Sequence, residues 1–170
     1  MADEIIAARV RELLNYDPET GIFTRKVRTA QRHQVGDRAD FLVTSGGLVG
    51  YHRITFDSER FLAHRVAWLY MHGKWPEFDI DHMNGVRSEN RIANLRDVTN
   101  RINRQNLRGP RVDNKVSGFL GVTWNKESSM WRARISLDGK YTHLGLFDTP
   151  ALANEAYLVV KRKIHEGCTI

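Results

Sequence analysis

Asp81 and His82 stand side by side in the run Ile80-Asp81-His82-Met83-Asn84-Gly85, and Asn94 and Asn103 follow at intervals that one short hairpin and one helix would draw together. A carboxylate and an amide carbonyl are hard oxygen ligands suited to a divalent cation. A neutral imidazole can take a proton from water near pH 7. Hydrolysis of a phosphodiester needs these parts: an oriented nucleophile, relief of charge at phosphorus and stabilisation of the departing oxygen. Asp81 and Asn103 are therefore the candidate cation ligands, and His82 is the candidate base.

The elements around this group can be read from pattern. Asp3 to Asn15 carries Ile6, Val10, Leu13 and Leu14 at helical spacing, and Asp17-Pro18-Glu19-Thr20-Gly21 supplies a turn. Ile22 to Lys26, Leu48 to Phe56 and Arg60 to Leu62 read as short strands of a small antiparallel sheet. A helix over Ala63 to His72 ends at Gly73. His64 and His72 flank it, and both are read as packed or solvent-bonded and kept outside the site. From Ile80 the chain reads as an extended segment and an irregular loop. A second strand runs from Asn94 to Thr99, and a helix capped by Thr99 follows from Asn100 to about Leu107.

The last third has a different texture. Gly118 to Trp124, Trp131 to Leu137 and Tyr141 to Phe147 read as three strands, with Asp138-Gly139 as a two-residue hairpin turn. Thr149-Pro150 starts a helix, as N-cap and first-turn proline. Ala153, Ala156, Tyr157, Val160 and Ile164 share its inner stripe, while Lys161, Arg162 and Lys163 are expected to face water. Alternation along Trp131 to Leu137 puts Trp131, Ala133, Ile135 and Leu137 toward the helix and Arg132, Arg134 and Ser136 on the opposite face.

Bulk composition narrows the class. The 170 residues are 41% hydrophobic and 27% charged, with no apolar run near the roughly 20 residues that a membrane span requires. The acidic start, with arginines among its first apolar residues, is unlike a signal peptide. A cytoplasmic location is expected. A single cysteine, Cys168, can form neither an internal disulfide nor a cysteine-based zinc site, so no structural zinc is expected. The net charge of +6 favours a polyanionic partner. Five bases between Thr99 and Lys115 (Arg101, Arg104, Arg108, Arg111 and Lys115) face one acid, Asp113, which suits phosphate contact directly after the candidate site.

The segment from about Tyr16 to Asn106 resembles the HNH endonucleases, particularly the small phage and homing-type enzymes. The resemblance is carried by Tyr16-Asp17-Pro18-Glu19-Thr20-Gly21, Ala63-His64-Arg65-Val66-Ala67-Trp68, Ile80 to Gly85, Asn90-Arg91-Ile92-Ala93-Asn94-Leu95-Arg96 and Asn103, in that order. It implies a strand-strand-helix fold around one divalent ion. Asp81 and Asn103 would bind the metal, His82 would activate the attacking water, and Asn94 would brace the loop that aims His82 or take part directly. Many relatives place histidine at the last position. Asparagine there resembles the homing-type branch, and its amide oxygen favours Mg2+ or Mn2+ over zinc.

The tail from about Ser117 to Gly167 is similar to the DNA-binding domain of the plant APETALA and ethylene-response factors. The matching pieces are Gly118 to Val122, Trp131-Arg132-Ala133-Arg134-Ile135, His143 to Thr149 and Ala153 to Tyr157. The resemblance implies a three-stranded sheet laid in the major groove. Thr123, Asn125 and His143 stand where the plant domains tend to carry arginine or tryptophan, so the plant target sequence does not transfer.

The expected architecture is thus α+β: an HNH module with a small antiparallel sheet over residues 1–108, a basic linker over 109–116, and a three-stranded antiparallel sheet packed on one helix over 117–170. The expected partner is double-stranded DNA, contacted by Arg101, Arg104, Arg108, Lys126, Arg132 and Arg134. No obligate protein partner is evident, and the chain would act as monomer or homodimer. The leading function is a metal-dependent DNA endonuclease. The alternatives are a non-catalytic DNA-binding regulator on an HNH scaffold and an RNA-directed or structural nucleic-acid module.

Overall fold

The computed structural model describes residues 1–110 and 116–170. The expected linker contacts Arg111 and Lys115 lie outside the described residues. The chain divides into two compact units, Met1–Thr99 and Asn100–Ile170. Among the described residues no helix is long and apolar enough to cross a membrane.

In the first unit, α1 (Ala2–Leu13) buries Ala7, Val10 and Leu13 along one stripe, and Asp3 and Glu4 in its first turn complement the positive end of the helix dipole. The chain then turns extended. β1 (Leu14–Asp17) pairs antiparallel with β2 (Ile22–Arg25) from Leu14↔Arg25 to Asp17↔Ile22. The helical spacing suggested that α1 would reach Asn15. It stops at Leu13 because Leu14 and Tyr16 alternate inward and their backbone is satisfied by β2. The Asp17 carboxylate accepts from Glu19 N (2.9 Å) and Thr20 Oγ1 (2.8 Å), which shapes the tight turn.

β3 (Asp40–Leu42), β4 (His52–Phe56) and β5 (Glu59–Leu62) form an antiparallel sheet in that order. β3 escaped the sequence reading because three residues show no period. It is located by a polar brace in which the buried Asp40 carboxylate accepts from Arg38 (2.8 Å), from Phe23 N (3.3 Å) and from the His52 ring. The strand expected to start at Leu48 starts at His52, since Gly46 and Gly50 take left-handed φ values of 78° and 88° ahead of it. α2 (Ala63–His72) lays Ala63, His64, Val66, Ala67 and Leu69 into the core and ends on Gly73 in the left-handed conformation. β6 (Asp79–His82) and β7 (Leu95–Val98) make a two-stranded antiparallel ribbon, with a 3-10 turn at Ile92–Asn94 leading into β7. Val10, Leu14, Phe23, Ile54, Val66 and Leu69 are fully buried and hold these pieces together. The Tyr16 ring sits 4.7 Å from Phe23 and 5.6 Å from Tyr70.

The second unit begins with α3 (Asn100–Gln105). β8 (Val122–Asn125), β9 (Met130–Leu137) and β10 (Lys140–Phe147) form a three-stranded antiparallel sheet with β9 in the centre, and α4 (Pro150–Ile164) packs on it. Asp138 and Gly139 both take positive φ in the β9–β10 turn, as a two-residue hairpin requires. Thr149 Oγ1 caps α4 by accepting from Leu152 N (3.2 Å). Val122, Ala133 and Ala153 form the centre of this small core, with Ile135 and Tyr157 also buried. Arg134 and Ser136 are exposed on the other face of β9. Lys161 departs from expectation. Instead of facing water it is buried, and its Nζ donates to the carbonyl of Leu107. The buried ammonium thus finds a backbone acceptor within the unit.

Candidate active site

Register on the β6–β7 ribbon determines what Asp81 and His82 meet. Asp81 is opposite Arg96, and His82 is opposite Leu95. Both site residues are about 5% exposed. The Arg96 guanidinium donates to Asp81 Oδ2 from Nε (2.8 Å) and reaches the same oxygen with a terminal nitrogen (2.7 Å), so the buried carboxylate has a countercharge on the neighbouring strand.

The loop between the strands is cross-braced by amides. Asn94 Oδ1 accepts from Asn84 N (3.0 Å), and Asn94 Nδ2 donates to the Glu89 carbonyl (2.9 Å). Asn84 Nδ2 donates to Glu89 Oε2 (2.8 Å), while Met83 N and Gly85 N donate to the carbonyls of Asn94 and His82. Asn94 thereby links the start, middle and end of the loop with one side chain. Such local side-chain to backbone bonds let a segment without regular structure hold a fixed shape.

Three groups that the sequence reading left out surround the His82 ring. Asn90, about 2% exposed, places Oδ1 3.2 Å from His82 Nε2. His64, on the buried side of α2, meets His82 edge to face with ring centroids 5.1 Å apart. Tyr51 lies 5.2 Å from His64 and 5.9 Å from His82, and the exposed Arg87 stacks over Tyr51 at 5.0 Å. Burial is the main cause that holds His82 below the ordinary histidine pKa, with the Asn90 hydrogen bond and the Asp81 charge acting the other way. His64 is pushed down to about 3 by burial and then by His82. Both rings are therefore neutral at pH 7, which is the state a proton acceptor needs. His64 Nδ1 is buried and has no hydrogen-bond partner among the described residues. His72, at the far end of α2, packs on Trp68 instead (4.1 Å).

The remaining sequence-derived residues lie in the second unit. Asn103 is on α3. Arg101 pairs with Asp138 (2.7 Å) and Glu166 (3.4 Å), and Arg108 donates to Thr169 Oγ1 (2.8 Å). The exposed ion pairs of Arg101 contribute little to stability. Arg104 lines a cavity of about 730 Å³ together with Arg134 and Tyr141. Lys126 is exposed in the β8–β9 turn. Arg134 stacks over Tyr141 (4.9 Å), and together with Arg132, His143 and Asn125 it lines a shallow depression on the outer sheet face. Arg132 Nε is buried and has no hydrogen-bond partner among the described residues.

Among the described residues no three or more His, Cys, Asp and Glu side chains are grouped so as to hold a metal ion. Mg2+ is commonly held by one or two carboxylates together with water and substrate phosphate, and a single buried carboxylate beside the candidate base fits that mode.

Residues 61–105 match the family model described as HNH endonuclease, a span that runs from Phe61 through α2, β6, the braced loop and β7 to the end of α3. The chain is also similar to Protein 3.8 of Escherichia phage T7, with 32% identity over 78 residues that make up 45% of this chain and 63% of that protein. The chain therefore spans less than two thirds of that relative's length. No solved structure matches it. Residues 61–105, which contain the Asp81–His82 pair and the loop that Asn94 braces, are an HNH endonuclease domain.

Proposed function

We propose that the chain is a metal-dependent endonuclease that hydrolyses phosphodiester bonds in double-stranded DNA, with His82 as its general base. The observation that carries this reading is the buried imidazole of His82 next to the Asp81 carboxylate, at the mouth of a loop cross-braced by Asn94. His82 takes a proton from water as the new P–O bond forms. The P–O bond on the far side breaks, and its electron pair leaves on the departing oxygen, which is then protonated from solvent.

Asp81 is the ligand this unit offers to a divalent cation, Mg2+ or Mn2+, and the part of Asn103 as a second ligand rests on the resemblance. When bound, the cation supplies Lewis-acid stabilisation of charge on the phosphate and the leaving oxygen. Arg96 keeps the Asp81 carboxylate turned to its own strand pair. Asn94 holds the loop in place, so its contribution is to geometry. A single centre of this kind faces one strand, so monomeric action favours nicking.

Supercoiled plasmid incubated with the protein and Mg2+ or Mn2+ is expected to convert to nicked or linear form, and excess chelator is expected to stop the conversion. Plasmid that stays supercoiled under both metals, with protein that binds DNA, would remove the catalytic reading.

The tail sheet is proposed to seat the enzyme on the duplex through Arg132 and Arg134, with Arg101, Arg104, Arg108 and Lys126 adding phosphate contacts. Support comes from the outward face of β9, where Arg134 is exposed on an aromatic platform and Arg132 lines the same depression. Guanidinium groups placed this way grip phosphates or guanine edges. Arg132→Ala combined with Arg134→Ala is expected to weaken DNA affinity by roughly tenfold or more at low salt, with a shallower salt dependence. An unchanged gel shift would exclude that role.

A further inference from the structure

We propose that Asn90 is a positioning residue that fixes His82 in the tautomer with its proton on Nε2, so that the Nδ1 lone pair accepts the proton from water. The inference rests on the reading of His82 as the base and adds which ring nitrogen acts and what selects it.

An amide oxygen carries lone pairs and no hydrogen. Its 3.2 Å approach to His82 Nε2 is a hydrogen bond when that nitrogen bears the proton. In a neutral imidazole the lone pair is then on Nδ1. An amide acceptor sets this arrangement without adding the negative charge that a carboxylate in the same place would bring. The His64 ring meets the same ring edge to face, with the ring planes 88° apart.

Asn90 is itself held by a distant part of the unit. Its carbonyl accepts from the Tyr16 hydroxyl (2.7 Å), a bond between residues 74 apart in sequence. Ile92 N donates to the Pro18 carbonyl (3.3 Å), and Gly21 lies against the Asn90–Arg91 peptide so closely that a Cβ there would come within 2.4 Å of it. The β1–β2 hairpin is thus a clamp on the backbone of Asn90. This gives the Tyr16 to Gly21 turn a task in the site, transmitted through one buried amide. Residues that orient a catalytic or ligating histidine from outside commonly carry a 10- to 100-fold share of activity.

The test reads the ring directly. Long-range 1H–15N correlation spectra of the full-length protein, labelled in its imidazoles and free of added metal, report which nitrogen of each histidine is protonated, and His82→Ala assigns the signal. The parent is expected to show His82 protonated on Nε2. Asn90→Leu is expected to move that ring toward a mixture of tautomers and to lower plasmid cleavage roughly 10- to 100-fold with little change in DNA affinity. Asn90→Asp, which keeps an oxygen acceptor but adds a charge that favours the doubly protonated ring, is expected to keep the proton on Nε2 and to recover cleavage only partly. A parent ring protonated on Nδ1 would overturn the proposal whether or not Asn90→Leu folds. So would a folded Asn90→Leu protein with the parent tautomer and parent cleavage. Should the parent show the expected tautomer and the expected response to Asn90→Leu yet cut no DNA, the positioning by Asn90 would stand and the nuclease reading would fall.

Discussion

Replacing His82 with alanine is expected to lower plasmid cleavage by roughly 10²- to 10⁴-fold, the usual share of a positioned general base, while leaving DNA affinity within about twofold of the parent. The separation follows from where His82 sits. Its ring is buried at the end of β6 against Asn90 and His64, and the proposed duplex contacts are arginines of the second unit. The loop that surrounds the ring is braced by Asn94 independently of it, so the alanine variant should keep the loop's shape. Gel shift and plasmid conversion on the same preparation check both halves. Cleavage at the parent rate would mean that another group takes the proton from water.

The second large effect is expected far from the chemistry in sequence. Gly21→Ala combines a left-handed φ of +73° with a Cβ position 2.4 Å from the backbone of Asn90 and Arg91. The φ alone costs about 1 to 2 kcal/mol for a side-chain-bearing residue, and the approach to backbone atoms has no flexible neighbour to give way. A total loss of about 3 kcal/mol is expected, with cleavage reduced by tenfold or more as the Asn90 loop is displaced. Gly36→Ala is the matched control. Gly36 has φ +90° with nothing within 4 Å of its Cβ position, so only the conformational cost applies. Urea unfolding and plasmid cleavage of the two variants separate strain from collision. If both variants lose the same stability and neither loses activity, the hairpin is no clamp on the site.

How much of this was legible in the sequence differs between elements for physical reasons. The β9–β10 turn and the start of α4 were readable because Asp138-Gly139 and Thr149-Pro150 are local signals, set by φ preferences and one capping hydrogen bond. The Asp81–His82 pair could be singled out because its two members are adjacent and chemically unusual together. Asn90 could not, although it stands in the same motif. Its contact with His82 crosses an irregular loop, and nothing in the spacing of residues 82 and 90 announces it. By its spacing alone His64 is a packed histidine on an apolar helix face. It is packed, yet its neighbour is the His82 ring, a fact fixed by how α2 and β6 meet. β1 was hidden for a related reason. Leu13 and Leu14 are both buried, one closing a helix and the other opening a strand, and two successive apolar residues carry the signature of neither period. Lys161 misled because its charge suggested solvent, whereas the Leu107 carbonyl provides its partner inside the unit.

The central claim is that a hard divalent cation is held by Asp81 beside the ring of His82. It is tested most directly by titrating Mn2+ into the full-length, imidazole-labelled protein and following paramagnetic broadening of its seven histidines. The account predicts that the His82 signals broaden first, at substoichiometric metal, and that Asp81→Ala abolishes this selectivity. A His82 signal that stays sharp while other histidines broaden, or one that broadens equally in Asp81→Ala, would contradict it.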